Sequence, residues 1–412
     1  MREVRKLERD QLRAALDLAA KAYPMLEVNS EQKLDELEAR IGADFNGETR
    51  QWYGLFEDDK LLGNMVLYDF TVDYYGQEIK ARGIGFVAVE FLHKKQKVCR
   101  EMLQWYLRDS LKLNYPLAML YAFRPDFYQK MGFGFGTGCY NYVTKPECFP
   151  RTEVNHPMIY LGTADKDEVI AFYRELYQAQ HGMIPKKPRE IEQYLEAQGV
   201  YRVGYREGGK LHALLTFRLV SNESPDQSTH MKLDLLFSDS LGLRAALNFL
   251  HSQSDQVSEI SISTPFREFF YNLTDIRHQD HRILKEPGYH HTYDAGMGIM
   301  YRSLDPVALL LKKPCTLDKQ KVRFVLRDSF MEECAHDFVI EWKEGKALKS
   351  RSKKADLTLS FGVSDFSSWV MNAIDLETLY LYGLVEISDE TVLRMIDRAF
   401  YYPQKPMCLE RF

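Results

Sequence analysis

Apolar residues recur at helical spacing through residues 10–23, where Leu12, Ala15, Leu16 and Ala19 share one face, and a polar-rich second helix is expected over 30–41 after the break at Pro24. Two helices should therefore open the chain. Residues 52–56, 61–68 and 71–75 read as strands, punctuated by Glu57-Asp58-Asp59-Lys60, and a turn at Gly76 leads into 78–89. This is the pattern of an antiparallel meander. An apolar run, Ile84-Gly85-Phe86-Val87-Ala88-Val89, then meets a basic turn, His93-Lys94-Lys95-Gln96-Lys97, and a helix with Val98, Met102, Leu103, Tyr106 and Leu107 on one face. The next apolar run, 117–123, is too distant for a hairpin, so a right-handed crossover should set the two strands parallel.

Prolines and polar residues in 146–157 suggest a linker. Beyond it, helices over 165–180 and 188–198 precede strands over 200–205, 211–220 and 231–237, a helix over 241–250 and a strand over 259–264. The order repeats that of the first part without repeating its residues. Where the first copy carries lysines, the second has Ser238-Asp239-Ser240-Leu241, and a carboxylate there would repel an anion at the helix start, so this copy reads as non-catalytic. From about residue 296 the pattern changes to short strands over 322–326, 339–342 and 357–361 and elements over 365–371, 375–383, 385–388 and 390–400, an α+β module.

A chain of 412 residues implies two or three domains, and 45% hydrophobic content suffices for a core in each. A net charge of −5 speaks against nucleic acid as a partner and makes the lysine turn a local feature. The six cysteines form no C-x-x-C pair, the amino terminus lacks the apolar segment of a signal peptide, and no apolar run reaches the ~20 residues of a membrane span. These features lead us to expect a soluble cytoplasmic protein. His278, His281, His290 and His291 lack the cysteine or carboxylate spacing of a metal site, and no metal is expected. The alternating Gly132, Gly134, Gly136 and Gly138 read as a bend or bulge.

Unpartnered amides, a positive dipole end and adjacent lysines make the helix start after residue 97 an anion site suited to phosphate. An aromatic hook, Phe127-Tyr128-Gln129-Lys130-Met131-Gly132-Phe133-Gly134, follows. Together with the element order, these residues resemble the GNAT family of acyl-CoA-dependent N-acetyltransferases, over roughly the first third. The last module is similar to the sterol-carrier-like domain that closes the Eis (enhanced intracellular survival) family, in which two GNAT-like domains precede it. The resemblance implies a mixed α+β chain of three parts: a catalytic GNAT domain at 1–150, a second GNAT-like domain at 151–295 and an SCP2-like domain at 296–412.

The resemblance also assigns roles. Acetyl-CoA would lay its amide-bearing arm along Val87, Ala88 and Val89, with the Val87 amide as oxyanion donor, and its phosphates on Lys94, Lys95, Gln96, Lys97, Val98, Cys99 and Arg100. Phe123 and Arg124 complete the expected carrier contacts. Lys97 stands where the family has a glycine, so it either crowds the pyrophosphate or turns outward and adds charge. Tyr128 would protonate the departing thiolate, a phenol of pKa near 10 acting on a thiol near ~8.5. The chain ends Cys408-Leu409-Glu410-Arg411-Phe412, and the Phe412 α-carboxylate takes the role of proton acceptor, as in that family. Tyr23, Glu27, Trp52 and Glu410 are the candidates for an acceptor pocket.

The expected activity is direct acetyl transfer to a primary amine, on a polyamine-like or aminoglycoside-like small molecule or on a lysine, by a homo-oligomer of six copies that touches no membrane. Two alternatives stand beside it. One is a non-catalytic binder of acyl-CoA or an apolar ligand with a degenerate pyrophosphate loop, and the other is a protein acetyltransferase with an open acceptor cleft.

Overall fold

The computed structural model describes residues 1–152, 157–221, 229–279 and 288–412. They divide into two compact units, one of residues 1–136 with 299–412 and one of residues 137–298.

The first unit opens with strand β1 (Arg2–Lys6), then helices α1 (Leu12–Ala22) and α2 (Glu31–Gly42), and strands β2 (Arg50–Glu57), β3 (Lys60–Tyr74) and β4 (Gln77–Val89). Helix α3 (Val98–Lys112), strand β5 (Leu117–Tyr121), the short helix α4 (Pro125–Gln129) and strand β6 (Gly134–Phe135) follow. The two opening helices and the strand, turn, helix, strand unit are where periodicity puts them. The expected strands at 61–68 and 71–75 are one continuous strand, paired with β4 from Gly63 to Tyr74. A strand also precedes the helices, antiparallel to β2, where sequence reading expected none.

Strand β5 is parallel to β4, as the crossover requires. On its other edge β5 pairs with a strand from far along the chain, Ile299–Ser303, which in turn pairs with β6. The sheet core lies against α3, where Met102, Leu103, Tyr106 and Leu107 are fully buried. Phe330, Met331 and Cys334, from the carboxy-terminal part of this unit, extend the same core. That part carries its own sheet, in which Gln320–Arg327 runs parallel to Leu357–Gly362, over a core of Phe324, Trp342, Phe361, Phe366 and Trp369.

Among its described residues the second unit has a sheet of seven strands. Its order from strand Met158–Tyr160 through helices Lys166–Ala179 and Pro188–Glu196, three antiparallel strands, helix Ser240–His251 and strand Glu259–Thr264 repeats that of β1 through β5. Strand Gly138–Thr144 pairs with Glu259–Thr264 in this sheet, so the sheets part at residues 136 and 137, short of the expected 150. Asp239 caps its helix by accepting from the Gly242 amide at 2.9 Å and sits 2.7 Å from His212, so a carboxylate fills the helix start that the first copy leaves open. Residues 153–156 of the expected linker and His281 lie outside the described residues. His278 and His291 stack at 4.5 Å, with His291 3.1 Å from Asp294.

Candidate active site

Strands β4 and β5 pair only from Ala81 to Gly83 and from Leu117 to Met119. Beyond that point they part, and β4 bends. Asn64 faces Ala88 but Val66 faces Gly85, so an extra residue is accommodated around Phe86, whose φ of 48° is left-handed. The buried Asn64 amide secures the bulge by donating to the Phe86 carbonyl at 3.0 Å. Glu90 donates its amide to Leu62 on β3, so by alternation the backbone groups of Val87 and Val89 point to the opening while their side chains pack against the core.

The basic turn lies at the end of β4. Lys95 and Lys97 adopt φ of 66° and 65°, and Lys97 is the residue that precedes the first turn of α3, with no side chain capping it. Lys97 thus holds the backbone conformation a glycine would adopt, at a strain of roughly 1 kcal/mol, while its side chain is exposed. Lys94 lies over the Phe91 ring at 4.1 Å. Val98 is buried in the core, so only its backbone is available to a ligand. A residue that sequence reading missed holds this turn: Arg2 on β1 donates to the Gln96 carbonyl at 2.9 Å and pairs with Glu57 and Glu101, each at 3.0 Å.

Tyr128 sits on α4, just past the opening, with Pro125 starting the helix. Its ring is buried, edge-on to Phe123, Phe127 and Phe133 at 5.8, 5.3 and 6.1 Å. Burial, with Cys99 and Tyr23 close by, pushes the Tyr128 hydroxyl far up from its ordinary pKa, so it carries its proton at neutral pH. Burial also pushes the Cys99 thiol up to about 12, which disqualifies it as a nucleophile. The hook is held from a distance. Gly132, at φ +82°, leaves room for the Arg302 guanidinium, which donates to the Met131 carbonyl and pairs with Asp328, both at 2.5 Å. A Cβ on Gly134 would meet the Ser364 carbonyl at 2.1 Å. Close approach, more than a bulge, explains these glycines.

Phe412 lies on β4. Its ring packs between Tyr68, Phe70 and Tyr121 at 5.3, 4.9 and 5.5 Å. A Cβ on Gly83 would come within 2.6 Å of that ring, and one on Gly85 within 3.3 Å of the Phe412 carbonyl carbon. Tyr121 fixes the approach by donating to the Glu410 carbonyl at 2.7 Å. The Phe412 carbonyl carbon is thus beside β4 at Gly85, two residues before Val87. Tyr68 stands opposite Gly83, and a strand glycine facing an aromatic is the signal that could have marked a docked segment.

The other candidates are dispersed. Tyr23 reaches β4 and donates to the Val87 carbonyl at 3.2 Å. Glu27 is exposed after a turn. Trp52 is a correction: at 1% exposure it packs against Phe86 in the core. Arg124 is paired with Asp126 at 2.6 Å, and Phe123 is exposed beside Tyr128. Among the described residues no helix is long and apolar enough to cross a membrane.

A splayed β4 and β5 pair, a bulge and a helix start at the end of β4 define the class. Residues 3–136 match the model of an acetyltransferase (GNAT) domain, and residues 307–409 that of a sterol carrier protein domain. The chain therefore carries an acyltransferase domain of the GNAT class and a sterol carrier domain, within the mixed α+β fold expected from sequence. It is 32% identical over 85 residues to an uncharacterized N-acetyltransferase from Streptomyces avermitilis, a match spanning 20% of this chain and 21% of that relative. Over the full length of both chains it superposes on a conserved protein of unknown function from Enterococcus faecalis, described as a probable N-acyltransferase, with a TM-score of 0.80 at 17% identity. It likewise superposes on Eis1 from Mycobacterium abscessus, with a TM-score of 0.77 at 16% identity and full coverage of both.

Proposed function

We propose that the chain is an Eis-like N-acetyltransferase that moves an acetyl group from acetyl-CoA directly to a primary amine on a polyamine-like or aminoglycoside-like small molecule or on a lysine. The observation that carries the reading is the seating of Phe412 on Gly83 and Gly85, on the strand whose opening Tyr128 borders. The carrier's phosphates rest on Lys94, Lys95 and the first amides of α3, and its arm follows Val87 to Val89. The left-handed Lys97 keeps the loop in a glycine-like shape, which favours binding over a degenerate loop.

In the reaction the amine attacks the thioester carbonyl and the Val87 amide receives the developing oxyanion. The Phe412 carboxylate takes the proton released by the amine, directly or through water. The carbon–sulfur bond breaks, and Tyr128 donates its proton to the leaving thiolate. The protonated Cys99 is consistent with direct transfer rather than an acyl-enzyme. Residues 1–136, 137–298 and 299–412 serve as catalytic domain, non-catalytic copy and sterol-carrier-like domain in this reading, and the assembly is a homo-oligomer.

Thiol release from acetyl-CoA, measured across a panel of polyamines, aminoglycosides and lysine peptides, tests it. The expected result is amine-dependent release by the native chain and a loss of about 10²-fold when one glycine is appended after Phe412. Full activity in the extended chain would remove the carboxylate from the mechanism, and no release with any amine would sink the transferase reading.

A further inference from the structure

The Val87 carbonyl stands on the edge of β4 that has lost its neighbour. The Glu90 amide donates to Leu62 on β3, so the backbone groups of residues 88 and 90 point to β3 and those of 87 and 89 point the other way, yet β5 pairs with β4 no further than Gly83. A half-buried ladder carbonyl without a strand partner is costly to leave unpaired. Tyr23 satisfies it, with its hydroxyl 3.2 Å from the Val87 oxygen.

Tyr23 is placed to be movable. Its backbone, with φ −123° and ψ 81°, caps α1 by donating to the Ala19 carbonyl at 2.8 Å and caps the next turn by accepting from the Leu26 amide at 3.0 Å, so its backbone is held and its side chain alone can turn. Its ring rests at a tilt on Phe86, 5.8 Å away, and Phe86 is itself the left-handed residue of the bulge. Rotation of Tyr23 needs no helix or strand to break. Burial pushes its hydroxyl up to about 12, so it remains a hydrogen-bond donor at any physiological pH.

We propose that Tyr23 is a stand-in for the acyl carrier: in the free chain it holds the Val87 carbonyl that the amide N–H of an extended, amide-bearing arm must take, and it turns aside when that arm enters. The inference rests on the acyl-carrier reading above. Tyr23 then acts as a gate on the strand edge and not as a wall of the acceptor pocket. Carrier binding exchanges one hydrogen bond for another, so the native tyrosine weakens affinity for the arm while closing the opening in its absence.

The consequence is specific to the arm. Tyr23→Phe keeps the ring and removes the donor, so the free state loses a bond that the bound state never had. Isothermal titration with coenzyme A, which carries the arm, should give a Kd about fivefold lower for Tyr23→Phe than for the native chain. Adenosine 3′,5′-bisphosphate, which reaches only the basic turn, should bind both chains with the same Kd. An unchanged or weaker coenzyme A Kd in the variant would overturn the gate, as would an equal shift for both probes. If the native chain bound neither probe, the acyl-carrier reading would fall and the gate with it. A native chain that binds coenzyme A while the variant shows no gain would overturn the gate alone.

Discussion

Phe412 rests on Gly83 with its ring where a β-carbon would stand 2.6 Å away, and the fit leaves no room for any larger residue. Gly83→Val should unseat the last residues from β4 while the strand pairing survives, since valine is a good strand former. The expected outcome is a loss of amine-dependent thiol release of about 10²-fold with coenzyme A affinity retained. Steady-state kinetics beside a binding titration separate the two effects.

Tyr128→Phe keeps a buried aromatic ring against Phe123, Phe127 and Phe133, so the melting temperature should hold. Only the proton is lost. Turnover should fall by about 10²-fold or more with little change in the KM for acetyl-CoA. Native-like turnover would exclude the phenol as donor.

At Lys97 the backbone is left-handed and the side chain exposed. Lys97→Gly should change stability by no more than about +0.5 kcal/mol, because relief of roughly 1 kcal/mol of left-handed strain is largely offset by the added freedom of the unfolded chain. Removal of one cation beside the helix start should also make coenzyme A binding less salt-dependent. Denaturant unfolding and a salt series read the two quantities independently.

The pair of Arg302 and Asp328 is fully buried, and burial pulls the Arg302 pKa down despite its partner. Arg302→Met would leave Asp328 in the core without its cation, held only by the Phe330 and Met331 amides at 3.0 and 2.9 Å, at a cost of roughly 3 kcal/mol. It would also release the Met131 carbonyl that steadies the Tyr128 hook. Chemical denaturation should register the loss, together with a fall in kcat at permissive temperature.

Lys313 is buried, donates to the Tyr75 hydroxyl at 2.6 Å, and has its pKa lowered by burial to about 7 from 10.5. Between those two values the unfolded chain binds the proton more strongly than the folded one, so stability rises with pH through that window. Below the folded value the cost of the buried charge is fully present. Lys313→Met should therefore be more stable than the native chain at pH 6, and the gap should close as pH rises toward 10. A constant gap in melting temperature across that range would refute the assignment.

Local sequence carried much of this. The helices α1 to α3 and the meander follow from periodicity, and Tyr128 and the lysine turn are marked by their immediate neighbours. What periodicity could not carry is tertiary. Strand β1 was missed because Arg2-Glu3-Val4-Arg5-Lys6 holds a single apolar residue, and with it went Arg2, the anchor of the basic turn. Trp52 was misplaced because an aromatic in a strand can face either side, and here it faces the core. The role of Gly132 depends on Arg302, which no local pattern links to it.

The strand Ile299–Ser303, which fills the edge of β5, has a consequence for synthesis. While the ribosome is still making the second unit, the first sheet lacks this member and presents an unsatisfied hydrogen-bonding margin for on the order of ten seconds or more. Nascent chains halted before this point should be sticky, and expression of the amino-terminal part alone should yield aggregates rather than a folded acyltransferase.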